Sequence, residues 1–459
     1  MPYSGKSRLM QRYSNLFVRC DDQEVQQFYW LLSLFLAKCD GLISAPEVLQ
    51  LMSGTGAIPF DPYVTPVDRK ESLLIRLKFL KKYDIDTPRE IIRVLTQGLF
   101  SSDKMSPSDR RYLFEFIENP TYTFKQFAGK LSVSVSSVFE AYHRLGKTIR
   151  FRFPSLLNFP LLKLKHFVIF FKPNDSFESS MISTRDYTLS MNRDTFGDWM
   201  WASFLVPNQV RILKEFRRGL SNLADKSFHD SRLYEVRSYG AHSNISMFDG
   251  ERWIYSEEAL GIGAFKFAER NKEIFTPMDE FLYADTPIRF DDVDFIICCQ
   301  KIGDSRIKNS AIKEVLRQNG HNLSWVTVSK RVNALKRKGV YHPGFAFYGL
   351  GLNLALTFAV ECDEEVVETF YHMFPMFPWC AASRTDKGVI FQIRTTAETG
   401  PVISYLMQSL KDEVHDLIMA NRLENIGTRS PFSLHKQWNS TKQYWEFERG
   451  AFDLSKKHQ

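Results

Sequence analysis

Two stretches of this chain repeat each other at a fixed distance. That repeat constrains the fold more than any composition does. VSVSSVFEAYHRLGKTI occupies residues 133–149, and LSWVTVSKRVNALKRKGVY occupies 323–341. Shifted by 190 positions (133 against 323), Val133 meets Leu323, Ser134 meets Ser324 and Ser137 meets Thr327. The same shift sets Val138 on Val328, Tyr142 on Val332 and Leu145 on Leu335. It also sets WMWASFLVP (199–207) opposite VIFQIRTT (389–396), and NQVRILKEFRRGL (208–220) opposite ETGPVISYLMQSL (398–410). One shift holding across three elements implies two copies of a single unit, joined by a linker.

Each copy opens with three helical patterns. In the first they are SPSDRRYLFEFIE (106–118), TFKQFAGKL (123–131) and SVSSVFEAYHRLG (134–146). In the second they are DDVDFIICCQKI (291–302), NSAIKEVLRQ (309–318) and LSWVTVSKRVNALKRKG (323–339). Capping residues precede them: Ser106 or Ser108, Thr123, Ser134, Asn309 and Ser324. Gly339 closes the last. Three short helices and then an extended wing, near 149–160 and 340–350, predict a winged helix-turn-helix in each copy.

After each wing the period changes. The second copy reads strand (354–362), helix (363–373), strands (379–385, 388–395), helix (399–412) and a strand near 414–424. The first reads strand (165–172), a poor helix (176–184), strands (186–192, 198–206), helix (208–224) and strand (231–239). That βαββαβ order predicts a ferredoxin-like domain. The expected class is therefore α+β, with two winged helix-turn-helix domains each followed by a ferredoxin-like domain, plus an N-terminal helical region. The boundaries are 1–104 for the helical region, 105–160 and 161–245 for the first unit, 246–290 for the linker, 291–350 and 351–427 for the second unit, and 428–459 for the tail. The linker is too apolar for a free tether and is expected to pack. The tail carries Trp438, Tyr444, Trp445 and Phe447 and is expected to dock.

The third helix of the second copy holds five Lys/Arg and no acid within 323–341. At helical spacing Trp325, Val328, Val332 and Leu335 fall in an arc of about 80° and form the expected buried face. Opposite lie Lys330, Ala334 and Arg337, with Val326 and Thr327 at the margins and Ser329, Arg331, Lys336 and Lys338 on the flanks. Such a face suits a recognition helix: Ala334 permits close approach, and Ser324, Thr327 and the cations supply donors for base edges and phosphates. In the first copy Val135, Val138, Tyr142 and Leu145 form the stripe. Ser136, Ser137, Glu140, His143, Arg144 and Lys147 face outward. Glu140 stands where Lys330 stands, so the first head is expected to bind DNA weakly or to contact protein.

The second copy resembles the Lrp/AsnC family of prokaryotic transcription regulators. The likeness rests on DDVDFII and on Leu323, Ser324, Thr327, Val328, Ser329, Lys330, Arg331, Val332, Leu335, Gly339 and Val340. The resemblance implies a ferredoxin-like domain for sensing and assembly, and pairing of two such domains. Here the pair would form within one chain, an intramolecular pseudo-dimer that could pair again as a homodimer. The family's turn between the second and third sensing strands carries a Gly-acid-aromatic-Asp pattern. Thr385-Asp386-Lys387-Gly388 and the 193–198 turn depart from it, which argues against an amino-acid effector.

The leading expectation is thus a DNA-binding transcription regulator with double-stranded DNA as partner, located in the cytoplasm at the nucleoid. A net charge of +7 is compatible with a polyanion. Lys330, Arg331, Lys336, Arg337 and Lys338 would contact phosphates and make binding salt-dependent. An alternative is an interaction scaffold that binds transcription-machinery proteins. Another is tetrapyrrole chemistry, since the siroheme decarboxylases, a group resembling Lrp/AsnC proteins, pair the same unit. Such a site needs cations and histidines on the sensing strands. They offer Arg384 and Arg394 in one copy and Arg185 and Arg193 in the other, read as lacking histidine.

No catalytic role, cofactor or metal is expected. The chain carries no P-loop, HExxH or GxSxG, and ALGIGAF reads as a turn. The six cysteines lack metal spacing and read as reduced, mostly buried thiols, with Cys298-Cys299 half core and half surface. Glu364-Glu365 reads as a solvated helix surface. The apolar run 29–37 is about half of the ~20 residues a membrane span needs. Basic residues 6–19 read as an ordinary N-terminal helix rather than a targeting peptide.

Overall fold

The computed structural model describes residues 9–44, 47, 67–82, 84–88, 91, 95 and 105–454. The last span lacks 150, 195–197, 251, 257–259, 261–262, 275, 285, 348–349, 353, 397–398, 429–430, 449 and 453. The class is a mixture of helix and strand, as expected. In the N-terminal region α1 (Gln23–Cys39) and α2 (Val67–Lys82) close a core of their own around Tyr29, Trp30, Leu73 and Leu77. The basic 6–19 stretch is helical from Leu9, and residues 6–8 lie outside the described residues. Among the described residues no helix is long and apolar enough to cross a membrane.

The first half contains α3 (Pro107–Glu118), α4 (Phe124–Leu131) and α5 (Val135–Ile149), then β1 (Ser155–Leu157) and β2 (Leu164–Pro173). It continues with the single turn α6 (Ser180–Ser183), β3 (Thr188–Asp194), β4 (Met200–Pro207), α7 (Val210–Ser227), β5 (Phe228–Val236) and β6 (Ser238–Ser243). The linker folds into α8 (Ala264–Arg270) and β7 (Glu280–Leu282). The second half contains α9 (Asp292–Gly303), α10 (Asn309–Gln318), α11 (Trp325–Arg337), β8 (Tyr341–Pro343) and β9 (Leu354–Glu361). Then follow α12 (Glu364–Met373), β10 (Trp379–Arg384), β11 (Gly388–Thr395), α13 (Gly400–Gln408) and β12 (Asp416–Thr428). The tail adds β13 (Trp438–Asn439) and β14 (Tyr444–Trp445).

The caps mostly fall where the sequence places them. Ser106 accepts from Asp109 N, and Thr123 and Gln126 form a capping box that stops α4 from fraying. Asn309 differs: it is the first helical residue of α10, and Lys308 takes the cap position without a side-chain bond. Gly339 adopts a φ of 67°, the left-handed turn that ends α11.

The strands form one ten-stranded system in the order β5-β2-β4-β3-β12-β9-β11-β10-β6-β7. In each half the four strands follow the same antiparallel order, fourth-first-third-second. The halves are then stitched twice. Asp416 to Asn421 of β12 pair with β9, and Arg422 to Thr428 of the same strand pair with β3 of the other half. Likewise β5 pairs with β2, and its continuation β6 pairs with β10. Each fourth strand is long enough to serve both sheets, so an edge that would invite foreign strands is occupied. Between the sheets lie Val168, Phe170, Trp201, Tyr234 and Val236 from one side, and Ala359, Ile418 and Ala420 from the other.

The segments expected to form wings differ from expectation. Each gives one short strand to a ribbon shared by both halves, with Ser155 opposite Pro343 and Leu157 opposite Tyr341. The helical triplets are shared too. The core of α3–α5 runs into Trp253, Phe347, Leu350 and Trp379, and that of α9–α11 into Leu157, Leu161, Trp438 and Trp445. The linker and tail pack, as expected. Cys298 and Cys299 are both buried, because the first helix of the second half is covered all round by β1, β8, its sister helices and the tail. Glu364 pairs with Arg384 rather than only with water.

Gly388 sets the turn that lets β10 and β11 pair. Its φ is 143°, and a Cβ there would strike the Val360 carbonyl oxygen and approach Cys362 N to 2.9 Å. Gly388→Ala is expected to cost roughly 2 kcal/mol or more. It should lower the urea midpoint without changing the slope. Gly303→Ala, where a Cβ meets nothing within 4 Å, should leave the midpoint unchanged or raise it. Equal midpoints for wild type and Gly388→Ala would refute the clash.

Candidate functional site

The outer face of α11 is built from its first turn onward. Ser324 Oγ accepts from Thr327 N at 3.1 Å and lies 2.9 Å from Thr327 Oγ1, so both hydroxyls serve the cap. Val328, Val332 and Leu335 are buried, as the spacing predicts. Trp325 is not: it is 55% exposed, beside Val326 at 53%. Trp325 opens the helix, and side chains of a first turn lean towards the N-terminus, past the end of the buried stripe. Lys330, Lys336, Arg337 and Lys338 are exposed, and Ala334 is half-buried. Among the described residues no carboxylate pairs with these four cations.

Arg331 is elsewhere engaged. Its guanidinium holds Asp291 at 2.7 Å and Asp294 at 2.8 Å, the two residues of the capping box that starts α9. Burial and the neighbouring Asp291 raise the Asp294 carboxyl, and Arg331 opposes them. Arg331 therefore ties α11 to α9 and is not the phosphate contact the spacing suggested.

The matching face of α5 has a different character. Ser134 caps the helix, accepting from Ser137 N at 3.0 Å and lying 2.8 Å from both Ser136 Oγ and Ser137 Oγ. Val138 and Leu145 are buried. Val135 is 47% exposed, a first-turn residue like Trp325, and Phe139 is 50% exposed. Phe139 packs edge-on to His143 at 4.2 Å and to Phe124 at 5.9 Å. Glu140 and His143 are exposed. Arg144 grips Asp109 with bonds of 2.6 and 3.1 Å, and the Lys147 side chain lies outside the described residues. The structure thus brings Phe139 and His143 together, with Arg144 paired to Asp109.

Between the sheets, one histidine escaped the sequence reading. His166 sits on β2 within LKHFVIFF, where it passes for part of an apolar strand. Its Nε2 has no partner among the described residues, and its Nδ1 lies 3.5 Å from the Tyr283 hydroxyl. Burial pushes it down to about 4, so it is neutral near pH 7. The strand arginines are committed. Arg384 binds Glu280 and Glu368 as well as Glu364. Arg394 stacks 4.4 Å from the Trp379 ring and donates to the Phe347 carbonyl. Arg185 is buried and donates to the Met181 carbonyl.

No family model and no curated protein sequence matches the chain. A solved structure of the siroheme decarboxylase NirDL is similar to it at 12% identity and a TM-score of 0.43, covering 73% of this chain and 98% of that one. The same enzyme in complex with an iron-uroporphyrin III analogue gives 12% identity and a TM-score of 0.41, covering 68% and 89%. A third, PH0061, gives 15% identity and a TM-score of 0.22, covering 29% of this chain and 93% of its own. The structures that span most of this chain are decarboxylase chains, which corrects the expectation of a DNA-binding transcription regulator. The geometry supplies physical reasons for the same correction. Arg331 and Arg144 are held by carboxylates, and the extended segments that follow the helical triplets pair with each other. Duplex DNA and transcription-machinery proteins as partners, and a nucleoid location, are withdrawn with it.

The depressed value of His166 has a measurable sign. Its ordinary value is 6.5 and its folded value about 4. As pH falls, the unfolded chain takes up the proton first. Stability from this residue is therefore complete above 6.5 and lost progressively towards about 4. His242 and His342 are also held low by burial and add the same trend. Denaturant titrations of wild type and His166→Gln, above and within that window, should show a smaller acid loss in the variant. Identical losses would mean that His166 titrates normally.

Proposed function

We propose that this chain is a non-catalytic docking protein that captures an acidic, apolar-anchored segment of a protein partner on the outer face of α11. In this reading its halves are Lrp/AsnC-like units, each a winged helix followed by a ferredoxin-like domain, with the boundaries set out above. The observation that carries it is the half-exposed Trp325 and Val326 in the first turn of a helix whose outer side carries four cations without carboxylate partners among the described residues, Lys330 one turn on and Lys336, Arg337 and Lys338 at its far end. Tryptophan is among the side chains most enriched at binding hot spots, because it offers much apolar area at little entropic cost. Cations at the rim steer and select more than they hold. The face thus combines an apolar anchor point with a charge field of one sign, which fits a segment carrying acids around a leucine or aromatic residue.

Decarboxylation of siroheme is not carried over to this chain. A tetrapyrrole between the sheets would have to displace Phe170, Trp201 and Tyr234, which fill that space. Its carboxylates would need cations, and Arg384 and Arg394 are already bound. A shift of siroheme's visible absorption band on mixing with the chain, lost in His166→Ala, would reverse this reading.

The docking face is tested by fluorescence anisotropy with two probes: an acidic peptide bearing leucine and phenylalanine, and a duplex DNA. The peptide is expected to bind, and Trp325→Ala to weaken it by roughly thirty-fold, the equivalent of about 2 kcal/mol. Lys330→Glu with Arg337→Glu should weaken it further at low salt. Binding of the duplex alone, with a steep salt slope abolished by the charge reversal, would overturn the proposal.

A further inference from the structure

The aromatic core of the first head ends in a socket that the second half fills. Phe124, Phe127 and Phe153 form its walls, with Phe127 and Phe153 buried and Phe124 half-buried. Two carbonyls converge on the same space. Pro120 and Tyr122 lie in the turn before α4, where the helix calls on neither carbonyl. Aromatic faces are electron-rich and carbonyl oxygens accept, so walls and rim both favour a planar cation with N–H groups at its edge. Arg306 supplies one from the turn GDSRIK, 303–308. Its Cζ lies 3.7 Å from the Phe153 ring centre, 5.3 Å from Phe127 and 5.6 Å from Phe124. Its Nη2 donates to the Tyr122 carbonyl at 2.9 Å and to the Pro120 carbonyl at 3.3 Å. The turn NPTYT (119–123) of the first half carries no cation, so it returns no such plug to the second head.

The socket suits a guanidinium better than the turn suits the socket. Arg306 Nε and Ser305 Oγ are buried without a partner among the described residues. No carboxylate pairs with the Arg306 guanidinium among them either. Asp304, two residues away, accepts instead from the Arg306 backbone N at 2.8 Å. An unpaired buried donor weakens the state that buries it. The turn is six residues long, and its ends, Gly303 and Lys308, are exposed. Such a segment opens at a smaller cost than a packed helix or strand. Walls and acceptors, in contrast, belong to the buried core of the first head and to the turn that starts α4. They stay in place when the plug leaves.

We infer that the first head carries a guanidinium-binding site, which this chain fills with its own Arg306 and which the arginine side chain of a protein partner enters when the 303–308 turn lifts. Its residues differ from those of the α11 face, so the two readings fail separately. The test uses the full chain, with N-acetyl-arginine amide and N-acetyl-lysine amide as probes, followed by ligand-observed NMR. Arg306→Ala empties the socket and is expected to bind the arginine probe with a Kd on the order of 1 mM. Wild type should bind it about tenfold more weakly or worse, because the plug leaves only a fraction of the sites open. The lysine probe has no planar fork to span the two carbonyls and should bind the variant about tenfold more weakly than the arginine probe. Phe124→Leu, added to Arg306→Ala, removes one wall and should weaken the arginine probe several-fold. Should Arg306→Ala not fold by itself, the arginine probe is expected to restore its circular-dichroism spectrum and the lysine probe is not. A folded variant that binds the arginine probe no better than wild type would overturn the inference. So would equal binding of the two probes, or an unfolded variant that the arginine probe does not restore.

Discussion

Everything in this molecule hangs on the two fourth strands that leave one sheet and finish in the other. A β-sheet edge left open is a row of unsatisfied donors and acceptors. Here β12 and the β5–β6 pair close those edges within the chain. Arg237 N donates to the Arg384 carbonyl at 2.8 Å where one strand crosses over. The crossing fixes how the two sheets face each other, and so fixes the space between them. That space is filled by Phe170, Trp201 and Tyr234. A fully buried large side chain contributes about 1.5–3 kcal/mol, so separating the sheets would be costly as well as topologically hard.

The heads inherit their placement from this arrangement. The β1–β8 ribbon joins the segments that follow the two helical triplets, and Arg306 completes the link. Its guanidinium lies 3.7 Å from the Phe153 ring, and it donates to the carbonyls of Pro120 and Tyr122. The turn of one head is thereby seated in the aromatic core of the other. Fusion into one chain then lets the halves diverge, because neither has to match an identical mate. The tail covers α7 but not its counterpart α13, β7 extends one side only, and Glu140 is exposed where the second half has Lys330.

Much of the fold was legible because its signals are local. Helix starts follow from Ser106, Thr123 and Ser324, whose hydroxyls find backbone donors within a few residues, and the constant shift between copies exposes the repeat. What escaped depends on contacts distant in sequence. The spacing puts Trp325 on the buried stripe, but a helix does not show where its core ends. The extended segments after the heads are visible, but their pairing with each other is not. Arg331 reads as a surface cation until Asp291, 40 residues away, is seen to hold it. His166 is hidden by its apolar neighbours, and only Phe159 and Tyr283, packed against it, make it a half-buried neutral base. Lys330, Lys336, Arg337 and Lys338 are exposed, as their spacing predicts, but exposure of Trp325, Val135 and Phe139 is a tertiary property that spacing does not show.

Asymmetry also bears on how far association can proceed. A symmetric pair of units would expose two equivalent outer helices, and contact through both would run on into open chains. In this chain one of the two is covered by the tail and carries cations, while the other is bare and uncharged. The same divergence leaves the two third helices unlike each other, one exposing Val135 and Phe139 and the other four cations. The fused arrangement thus sets the number and kind of docking faces, a property that neither half possesses alone.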